Sequence, residues 1–258
     1  MRTSALQIEH LMVNYEKSCI LFDICLQVPQ GQLVAILGPN GAGKTTFLKS
    51  TLGLLKPLSG KVSFLGDSFK KMRSQIAYMP QRDSIDWDFP MSVLDLVLMG
   101  CYGRLGLFRR PSKSHRAEAM HCLEKVGMQN YSSRQINQLS GGQKQRIFIA
   151  RALMQKATLF FMDEPFSGVD QSSEQIIMNT LQELKSQGKT IFVVHHDLAQ
   201  VQRSFDWVIL LNHSLVAAGA VADVFTEELI ERAYGKKQQL FDQASQLVTT
   251  KTQGYCAK

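Results

Sequence analysis

The sequence lacks the long hydrophobic run and the leader that would carry a chain into or across a membrane. A bilayer-spanning helix needs about 18 consecutive apolar residues, and candidates such as 207–211 and 215–222 are far shorter. The first ten residues contain no apolar stretch of roughly 7 to 15 residues ahead of a small-residue cleavage site. We therefore expect a chain that does not cross a membrane by itself and whose default location is the cytoplasm.

The sequence also lacks the cysteine pattern of a disulfide framework or a zinc site, because its cysteines are odd in number and form no C-x-x-C pair. The five cysteines are Cys19, Cys25, Cys101, Cys122 and Cys256. Four histidines show no ligand spacing either, namely His10, His115, His121 and His213. We expect reduced cysteines that mostly serve packing.

Positive charge, by contrast, is in excess. The 258 residues include 29 Lys and Arg against 22 Asp and Glu, which gives a formal charge of +7 and a pI near 9.2. Hydrophobic residues make up 45% and charged residues 20%, as in ordinary globular proteins. The positive excess fits a nucleic acid, an anionic lipid or a phosphate-bearing ligand, and it also fits solubility alone. Composition does not decide among these.

Short apolar runs alternate with helical segments through most of the chain. Because the runs are continuously apolar, they predict strands of a parallel sheet covered on both faces, and hence an α/β fold. The predicted strands are 33–37, 158–162, 190–194 and 207–211, with helical segments at 45–55, 171–186 and 197–203.

Three further regions depart from this alternation. The runs 6–13 and 22–28, and likewise 61–64 and 75–79, have no helix between them, which predicts an antiparallel sheet beside the core. Residues 91–127 predict an inserted helical subdomain of two or three helices joined by a basic turn. Residues 236–258 are rich in Gln, Thr, Ser and Lys and predict a tail without an assigned role.

The strongest motif fits the phosphate-loop pattern G-x-x-x-x-G-K-[ST] and lies between a predicted strand and a predicted helix. Backbone N–H groups of such a loop surround phosphate oxygens, and the following helix N-terminus adds positive partial charge. We expect Lys44 to bind the phosphates of a nucleotide and the Thr45 hydroxyl to bind Mg²⁺. The loop and the residue after it are Gly38, Pro39, Asn40, Gly41, Ala42, Gly43, Lys44, Thr45 and Thr46.

Two carboxylates end the predicted strand at 158–162. Asp163 is expected to hold Mg²⁺ at the exposed end of this strand, beside the phosphate loop. Glu164 is expected to orient and polarise the water that attacks the γ-phosphate. Alone, two acids at a strand end would be an ordinary solvated turn, but the phosphate loop favours the functional interpretation.

A second anion site is predicted at the start of a helix. Ser140, Gly141, Gly142 and Gln143 follow Leu139 and begin an apolar helical pattern, so that backbone N–H groups can face a phosphate. This segment resembles the signature of ABC-type ATPases, and chance produces it in about 1 of 3,000 chains of this length. The resemblance covers residues 5–235.

The resemblance implies roles for four further residues. Tyr15 would stack on adenine, and Gln81 would contact Mg²⁺ or the attacking water and sense the membrane partner. His196 would hydrogen-bond the γ-phosphate, whereas the preceding His195 would be structural. Asp170 would line the nucleotide site as the last residue of 167–170, which is Ser-Gly-Val-Asp here against the more usual Ser-Ala-Leu-Asp of the family.

The family also implies an architecture. This is a P-loop NTPase of ABC type with a mostly parallel core sheet, an antiparallel β flank and an inserted helical subdomain at about 90–155 that contains the signature. Two copies would sandwich two ATP molecules head to tail, each with Mg²⁺. The chain itself offers two helix-end phosphate sites but only one lysine-bearing loop, which fits a second site that serves a partner's nucleotide.

The segment after Gln81 indicates which process the ATPase drives. Trp87, Phe89 and Met91 form a run that could line a groove for a partner helix; in the alternative, Trp87 and Phe89 only anchor the insertion to the core. This block resembles the ATPase subunits of bacterial importers for manganese, zinc and iron. The resemblance implies a peripheral subunit on the cytoplasmic face of the inner membrane, bound to a separate permease pair that receives metal from an external binding protein.

Two other functions stay open at this point. One is an importer ATPase for another solute, such as a siderophore or haem. The other is a soluble ABC ATPase acting on nucleic acid, which the charge allows but which the single cassette and the absence of long coiled insertions disfavour, so that no nucleic-acid partner is expected. Which metal is carried also stays open, because the resemblance implies that no residue of this chain touches the transported metal.

Overall fold

The computed structural model of the chain describes residues 4–15, 18–82, 85, 87–106 and 109–235. The predicted tail at 236–258 lies outside the described residues. Among the described residues, no helix has both the length and the apolar character that crossing a bilayer requires.

Nine strands occur in the described part of the chain. They are β1 (Ser4–Tyr15), β2 (Ser18–Pro29), β3 (Leu33–Leu37), β4 (Ser59–Phe64), β5 (Ile76–Met79), β6 (Leu159–Asp163), β7 (Thr190–Val194), β8 (Trp207–Asn212) and β9 (Ser214–Ala220).

Ten α-helices occur in the same part of the chain, with short 3₁₀ turns between some of them. They are α1 (Lys44–Thr51), α2 (Phe69–Met72), α3 (Val93–Leu98), α4 (Tyr102–Leu105), α5 (Lys113–Lys125), α6 (Gly141–Met154), α7 (Gln171–Ser186), α8 (Leu198–Ser204), α9 (Val221–Val224) and α10 (Glu227–Tyr234).

A six-stranded sheet forms the core in the order β5-β6-β7-β3-β8-β9. The first five strands are parallel, and β9 pairs antiparallel with β8 through a tight turn at His213. Strands β3, β6 and β7 are buried along their whole length, because helices or a second sheet cover both faces. The predicted α/β fold with a mostly parallel core sheet is confirmed.

A three-stranded antiparallel sheet, β2-β1-β4, covers one face of the core. Its apolar side shares a buried cluster with α1 and with that face of the core sheet, including Phe47, Phe161 and Phe192. The antiparallel flank is therefore confirmed for three of its four predicted segments.

The fourth segment, predicted at 75–79, is not part of the antiparallel sheet. It forms β5, which pairs parallel with β6 at the edge of the core. The physical reason is the connection from β4: α2 and a 3₁₀ turn at Arg73–Gln75 carry the chain across to the core sheet, where Ala77 and Met79 are buried. The apolar runs that form β4 and β5 are separated in the sequence by only a short helical segment, so the sequence does not show that the chain crosses from one sheet to the other between them.

Helices α3 to α6 lie between β5 and β6 in the chain and pack on one another. Their apolar faces continue the second buried cluster, which also covers the other face of the core sheet. The division of the chain at 90–155 and at 235 stays a prediction, since helix packing alone does not define a domain boundary.

Candidate nucleotide site

Four neighbouring strands end at one edge of the core sheet and bring the predicted site residues together. In the sheet order, Gln81 follows β5, Asp163 and Glu164 end β6, His196 follows β7, and the phosphate loop (residues 38–45) follows β3. Ligands of α/β proteins bind in the crevice outside the carboxyl ends of parallel strands. The topology thus gathers, at such a crevice, groups that lie up to 158 residues apart, as Gly38 and His196 do.

The phosphate loop joins β3 directly to the N-terminus of α1. Gly43 caps α1 in the left-handed region at φ 90°, and a Cβ there would lie only 2.6 Å from Leu21 Cδ2. Gly38 lies against the carbonyl of Leu211 and donates its N–H to the hydroxyl of Tyr234 at 2.9 Å. At Gly38 a Cβ would lie 2.1 Å from the Leu211 carbonyl oxygen, so no side chain fits there, and at Gly43 the positive φ favours glycine.

The remaining loop residues divide between a buried base and an exposed tip. Ala42 is buried and donates its N–H to the Pro39 carbonyl at 3.1 Å, which closes the turn. Asn40 and Gly41 form the exposed tip. Thr46 lies in the first turn of α1, where its carbonyl accepts from the Ser50 hydroxyl at 2.7 Å.

Lys44 folds back over the loop. Its ammonium donates to the carbonyls of Gly38 at 2.7 Å and Pro39 at 2.9 Å. Burial lowers the pKa of Lys44, while the charges of Glu164 and Asp163 act in the opposite direction. A buried cation that is held by carbonyls alone is a suitable partner for an incoming polyphosphate.

Thr45 and Asp163 form the position expected for a divalent cation. The Thr45 hydroxyl donates to Asp163 Oδ1 at 3.1 Å, and the Asp163 carboxyl is fully buried. Burial raises the pKa of Asp163, although the hydrogen bond from Thr45 lowers it. The second oxygen, Oδ2, is buried and makes no hydrogen bond. A hydroxyl beside a carboxylate with an unsatisfied oxygen is the hard oxygen donor set that Mg²⁺ prefers, so these residues fit the ion.

Glu164 occupies a strained backbone position with contacts to two other elements. Its φ of 52° lies in the left-handed region, which is uncommon for a residue other than glycine. Gln81 Nε2 donates to Glu164 Oε2 at 3.1 Å, and buried Gln145 on α6 donates to the Glu164 carbonyl at 3.4 Å. The carboxylate is therefore held at the strand end beside Asp163.

The signature segment (residues 139–143) begins α6 with a complete capping box. Ser140 Oγ accepts from the Gln143 N–H at 3.3 Å, and Gln143 Oε1 accepts from the Ser140 N–H at 3.0 Å. A Cβ on Gly142 would lie 2.9 Å from Ser173 Oγ and 3.0 Å from Asp170 Oδ1. The glycine therefore lets α6 approach the start of α7.

Asp170 caps α7. Its carboxylate accepts from the Ser173 hydroxyl at 2.6 Å, from the Ser173 N–H at 3.3 Å and from the Ser172 hydroxyl. The serine hydrogen bonds lower the pKa of Asp170 well below its usual range. The structure thus places Asp170 beside Gly142 at the start of α7.

The two histidines after β7 have different surroundings. His195 is buried between Phe166 and Phe205, with ring centroids at 5.1 and 5.6 Å, and burial lowers its pKa to about 4. His196 is exposed at the strand end. The buried ring fits the structural role expected of His195, and the exposed one is free to approach a ligand.

Two predicted aromatic contacts have different outcomes. The side chain of Tyr15 lies outside the described residues. Trp87 does not line a groove, because its ring packs edge-on against Phe148 at a centroid distance of 5.1 Å. Its Nε1 donates to the Arg82 carbonyl at 3.1 Å, and the Lys144 ammonium lies over the face of the ring. The alternative, in which Trp87 anchors the segment, is the one that the contacts support; Phe89 is exposed.

Two residues at this site were missed by the sequence analysis. Arg82 extends its guanidinium to the signature, where a Cβ on Gly141 would lie 2.5 Å from Nη1 and one on Gly168 would lie 3.3 Å from it. Gln145 contacts Glu164 from α6. The position of Arg82 next to Gln81 was the available signal, whereas nothing in the sequence marks Gln145, whose role depends on how α6 packs.

Comparisons with known proteins give a consistent result. A family model described as "ABC transporter" matches residues 21–167. The manganese transport system ATP-binding protein MntB of Bacillus subtilis is 52% identical over 229 residues, covering 89% of this chain and 92% of that protein. The zinc transport system ATP-binding protein TroB of Treponema pallidum is 52% identical over 231 residues, covering 90% and 87%.

Solved structures with a similar fold also come from ABC transporters. A chain from the inward-facing structure of an ABC transporter assigned to the metal-chelate type superposes with a TM-score of 0.79 at 30% identity, covering 89% of this chain and 88% of that one. The ADP conformation of an ATP-binding cassette from an ABC transporter gives 0.73 at 25% identity, covering 91% and 96%.

Proposed function

This chain belongs to the ABC transporter family and is an ATPase that drives transport, and from this premise we propose that it energises a bacterial importer for a divalent transition metal, manganese or zinc. The observation that carries the proposal is the similarity to MntB and TroB, each 52% identical to this chain along about nine-tenths of its length. Identity extends well beyond the motifs that all ATPases of the family need. Iron, a siderophore or haem is a less well supported solute, because the two relatives named for manganese and zinc are 52% identical to this chain, whereas the structure of the metal-chelate type is only 30% identical.

The phosphate loop binds ATP in this proposal. Lys44 exchanges its two carbonyl partners for β- and γ-phosphate oxygens, and the N–H groups at the start of α1 complete the cradle. Thr45 and Asp163 hold Mg²⁺, with Gln81 near enough to Glu164 to contact the ion or the attacking water. When bound, Mg²⁺ neutralises charge on the phosphate oxygens. Tyr15 stacks on the adenine.

Glu164 serves as the general base in hydrolysis. Its carboxylate lies one residue beyond Asp163 and accepts from Gln81, so that it is oriented before a nucleotide arrives. It polarises the water that attacks the γ-phosphate, while His196 donates a hydrogen bond to that phosphate. A positioned general base contributes about 10²- to 10⁴-fold to a rate.

A second copy of the chain completes each site. The hydrogen bonds of Ser140 and Gln143 stay within the first turn of α6, and Gly141 and Gly142 pack toward Arg82 and Asp170. The N-terminus of α6 begins at exposed Ser140 and can serve as an anion site. The atoms nearest to its glycines belong to Arg82, Gly168, Asp170 and Ser173 and not to the phosphate loop. Head-to-tail pairing supplies it with the partner's nucleotide.

The permease docks in a groove between the core sheet and the helical layer. This basic groove has a volume of about 1140 Å³ and is lined by exposed Leu54, Met99 and Tyr102 and by Arg104, Arg109 and Arg110, among others. Its lining reaches Pro80, the neighbour of Gln81. A lining that combines exposed apolar side chains with arginines suits an amphipathic helix of a membrane protein. Docking there makes this chain a peripheral subunit at the cytoplasmic face, and metal reaches the permease from an external binding protein.

Reconstitution tests the proposal. The chain is purified with its permease, placed in vesicles that hold ATP, and supplied with radioactive manganese or zinc and an external binding protein. Metal uptake that requires ATP and is lost with Glu164→Gln supports the proposal. ATP-dependent uptake of haem or a siderophore, with no uptake of either metal, would contradict it.

A further inference from the structure

The outer face of the antiparallel sheet carries a backbone irregularity outside the nucleotide site. Ile8 pairs with Leu26 and Leu11 pairs with Ile24, so that two residues of β1 face the single residue Cys25. This is a β-bulge, a feature that bends a strand and re-aims a side chain. One of the two bulged residues is His10.

A second bulge follows at once on the opposite strand. Between the pair Leu11 with Ile24 and the pair Val13 with Leu21, two residues of β2 face one residue of β1, and one of the two is Asp23. His10 at φ 51° and Asp23 at φ 47° both occupy the left-handed region. Two successive bulges with left-handed residues interrupt the regular pairing between β1 and β2, and such strained positions are often associated with function.

The two bulges direct three metal-ligating side chains to one point. His10 Nδ1 lies 2.7 Å from Asp23 Oδ1 and 3.5 Å from Cys25 Sγ, and the His10 N–H donates to Cys25 Sγ at 3.1 Å. One ligand atom from each residue lies within 4.8 Å of the other two, and all three residues are exposed. Ligands of a tetrahedral zinc ion, at about 2.0–2.3 Å from the metal, lie roughly 3.3–3.8 Å apart.

We propose that His10, Asp23 and Cys25 form an open binding site for a borderline divalent cation, with zinc as the best chemical match and water as the remaining ligand. Imidazole and thiolate suit zinc, whereas manganese and magnesium prefer oxygen ligands alone. The site is a three-ligand, solvent-accessible one, since the exposed sheet face leaves the remaining coordination position open. It does not depend on the transport proposal, because none of its residues belongs to the nucleotide site or the basic groove.

Cobalt reports directly on such a site. Co²⁺ is titrated into the purified full chain without nucleotide, and absorption is followed for the tetrahedral d–d bands and for thiolate-to-cobalt charge transfer. We expect charge transfer at one cobalt per chain, displacement by Zn²⁺, and no displacement by excess Mn²⁺. Cys25→Ser should abolish the charge-transfer band, whereas Cys19→Ser, a change at another exposed cysteine of β2, should leave it intact.

Two further variants test the other ligands without disturbing the backbone. Asparagine tolerates left-handed backbone well, so His10→Asn and Asp23→Asn should fold. Each should weaken cobalt binding at least ~10-fold, because loss of a hydrogen-bond partner of a metal ligand already has an effect of that size. A circular dichroism spectrum and basal ATP hydrolysis equal to those of the unmodified chain confirm folding. Absence of charge transfer in the unmodified chain, its survival in Cys25→Ser, or its equal loss in Cys19→Ser would overturn the proposal.

Discussion

Gln81 donates a hydrogen bond to Glu164 across 3.1 Å and thereby joins the ends of β5 and β6. On one side, the lining of the basic groove includes Pro80, the residue before Gln81. On the other, Gln145 holds the Glu164 carbonyl from the signature helix α6 at 3.4 Å. Glu164 thus contacts both elements that a permease and a second copy are proposed to reach, Gln81 through its carboxylate and α6 through its backbone carbonyl. Coupling between transport and hydrolysis can be tested at this residue.

Glu164→Gln should lower steady-state ATP hydrolysis by about 100-fold or more, since a positioned general base contributes that much. The amide keeps the shape of the side chain and can still accept from Gln81, so that ATP binding should persist. Phosphate release measures the turnover, and sedimentation in the presence of ATP should show a trapped dimer. The exposed Glu124→Gln serves as the matched control and should turn over normally. Undiminished turnover in Glu164→Gln would remove Glu164 as the general base.

Lys44→Ala should weaken ATP binding at least ~10-fold, because the buried ammonium that faces the phosphates is lost. Fluorescent nucleotide titration measures the affinity. Lys56→Ala, an exposed change a few residues beyond α1, should bind ATP like the unmodified chain. Equal affinities for all three proteins would be incompatible with the assigned role of Lys44.

Gly142→Ala should destabilise the contact between α6 and α7 by roughly 1–3 kcal/mol, the usual cost of overpacking. The added methyl would lie 2.9 Å from Ser173 Oγ and 3.0 Å from Asp170 Oδ1. Urea unfolding measures the loss, and ATP hydrolysis should fall with it. Adding Ser173→Ala removes the closer of the two atoms and should recover part of the stability. If the double variant loses as much unfolding free energy as the two single variants together, the close contact with Ser173 is not the cause of the instability.

A photo-crosslinking residue at Tyr102 should capture the permease in cells, because this side chain is exposed in the basic groove. The same probe at Phe22 is the control, since that exposed side chain lies on the antiparallel sheet. A probe at Trp87 should crosslink weakly, as its ring packs on Phe148. Equal capture of the permease from positions 22 and 102 would argue against docking in the groove.

Most of the nucleotide site could be predicted from the sequence because its parts are contiguous segments at the ends of parallel strands. The phosphate loop follows β3, and Asp163 and Glu164 end β6, so that pairing of β3 and β6 with β7 between them is enough to bring them together. The chemistry of each segment is contained in its own few residues. Local motifs and one rule of sheet topology therefore suffice.

The features that were missed depend on register and packing over long sequence separations. The parallel pairing of β5 follows from a short crossover, and the contact of Gln145 with Glu164 follows from the packing of α6. The grouping of His10 with Cys25 depends on bulges that shift the strand register. The spacing of residues within one segment does not predict strand register, and a register shift of one residue changes which side chains lie on the same face of a sheet.

The stability of the chain should fall as the pH drops from about 6.5 to about 4, and His195 should account for part of the fall. Burial lowers the pKa of His195 to about 4, against an ordinary value near 6.5, and the neighbouring His196 adds to this effect. Between these pH values the unfolded state binds a proton that the folded state does not, so stability is lost on acidification. The full shift corresponds to about 3 kcal/mol. Urea unfolding at several pH values measures the slope, which should become shallower in His195→Gln and stay unchanged in His121→Gln, a change at an exposed histidine of α5. A slope that both variants share with the unmodified chain would mean that other groups cause the acid sensitivity.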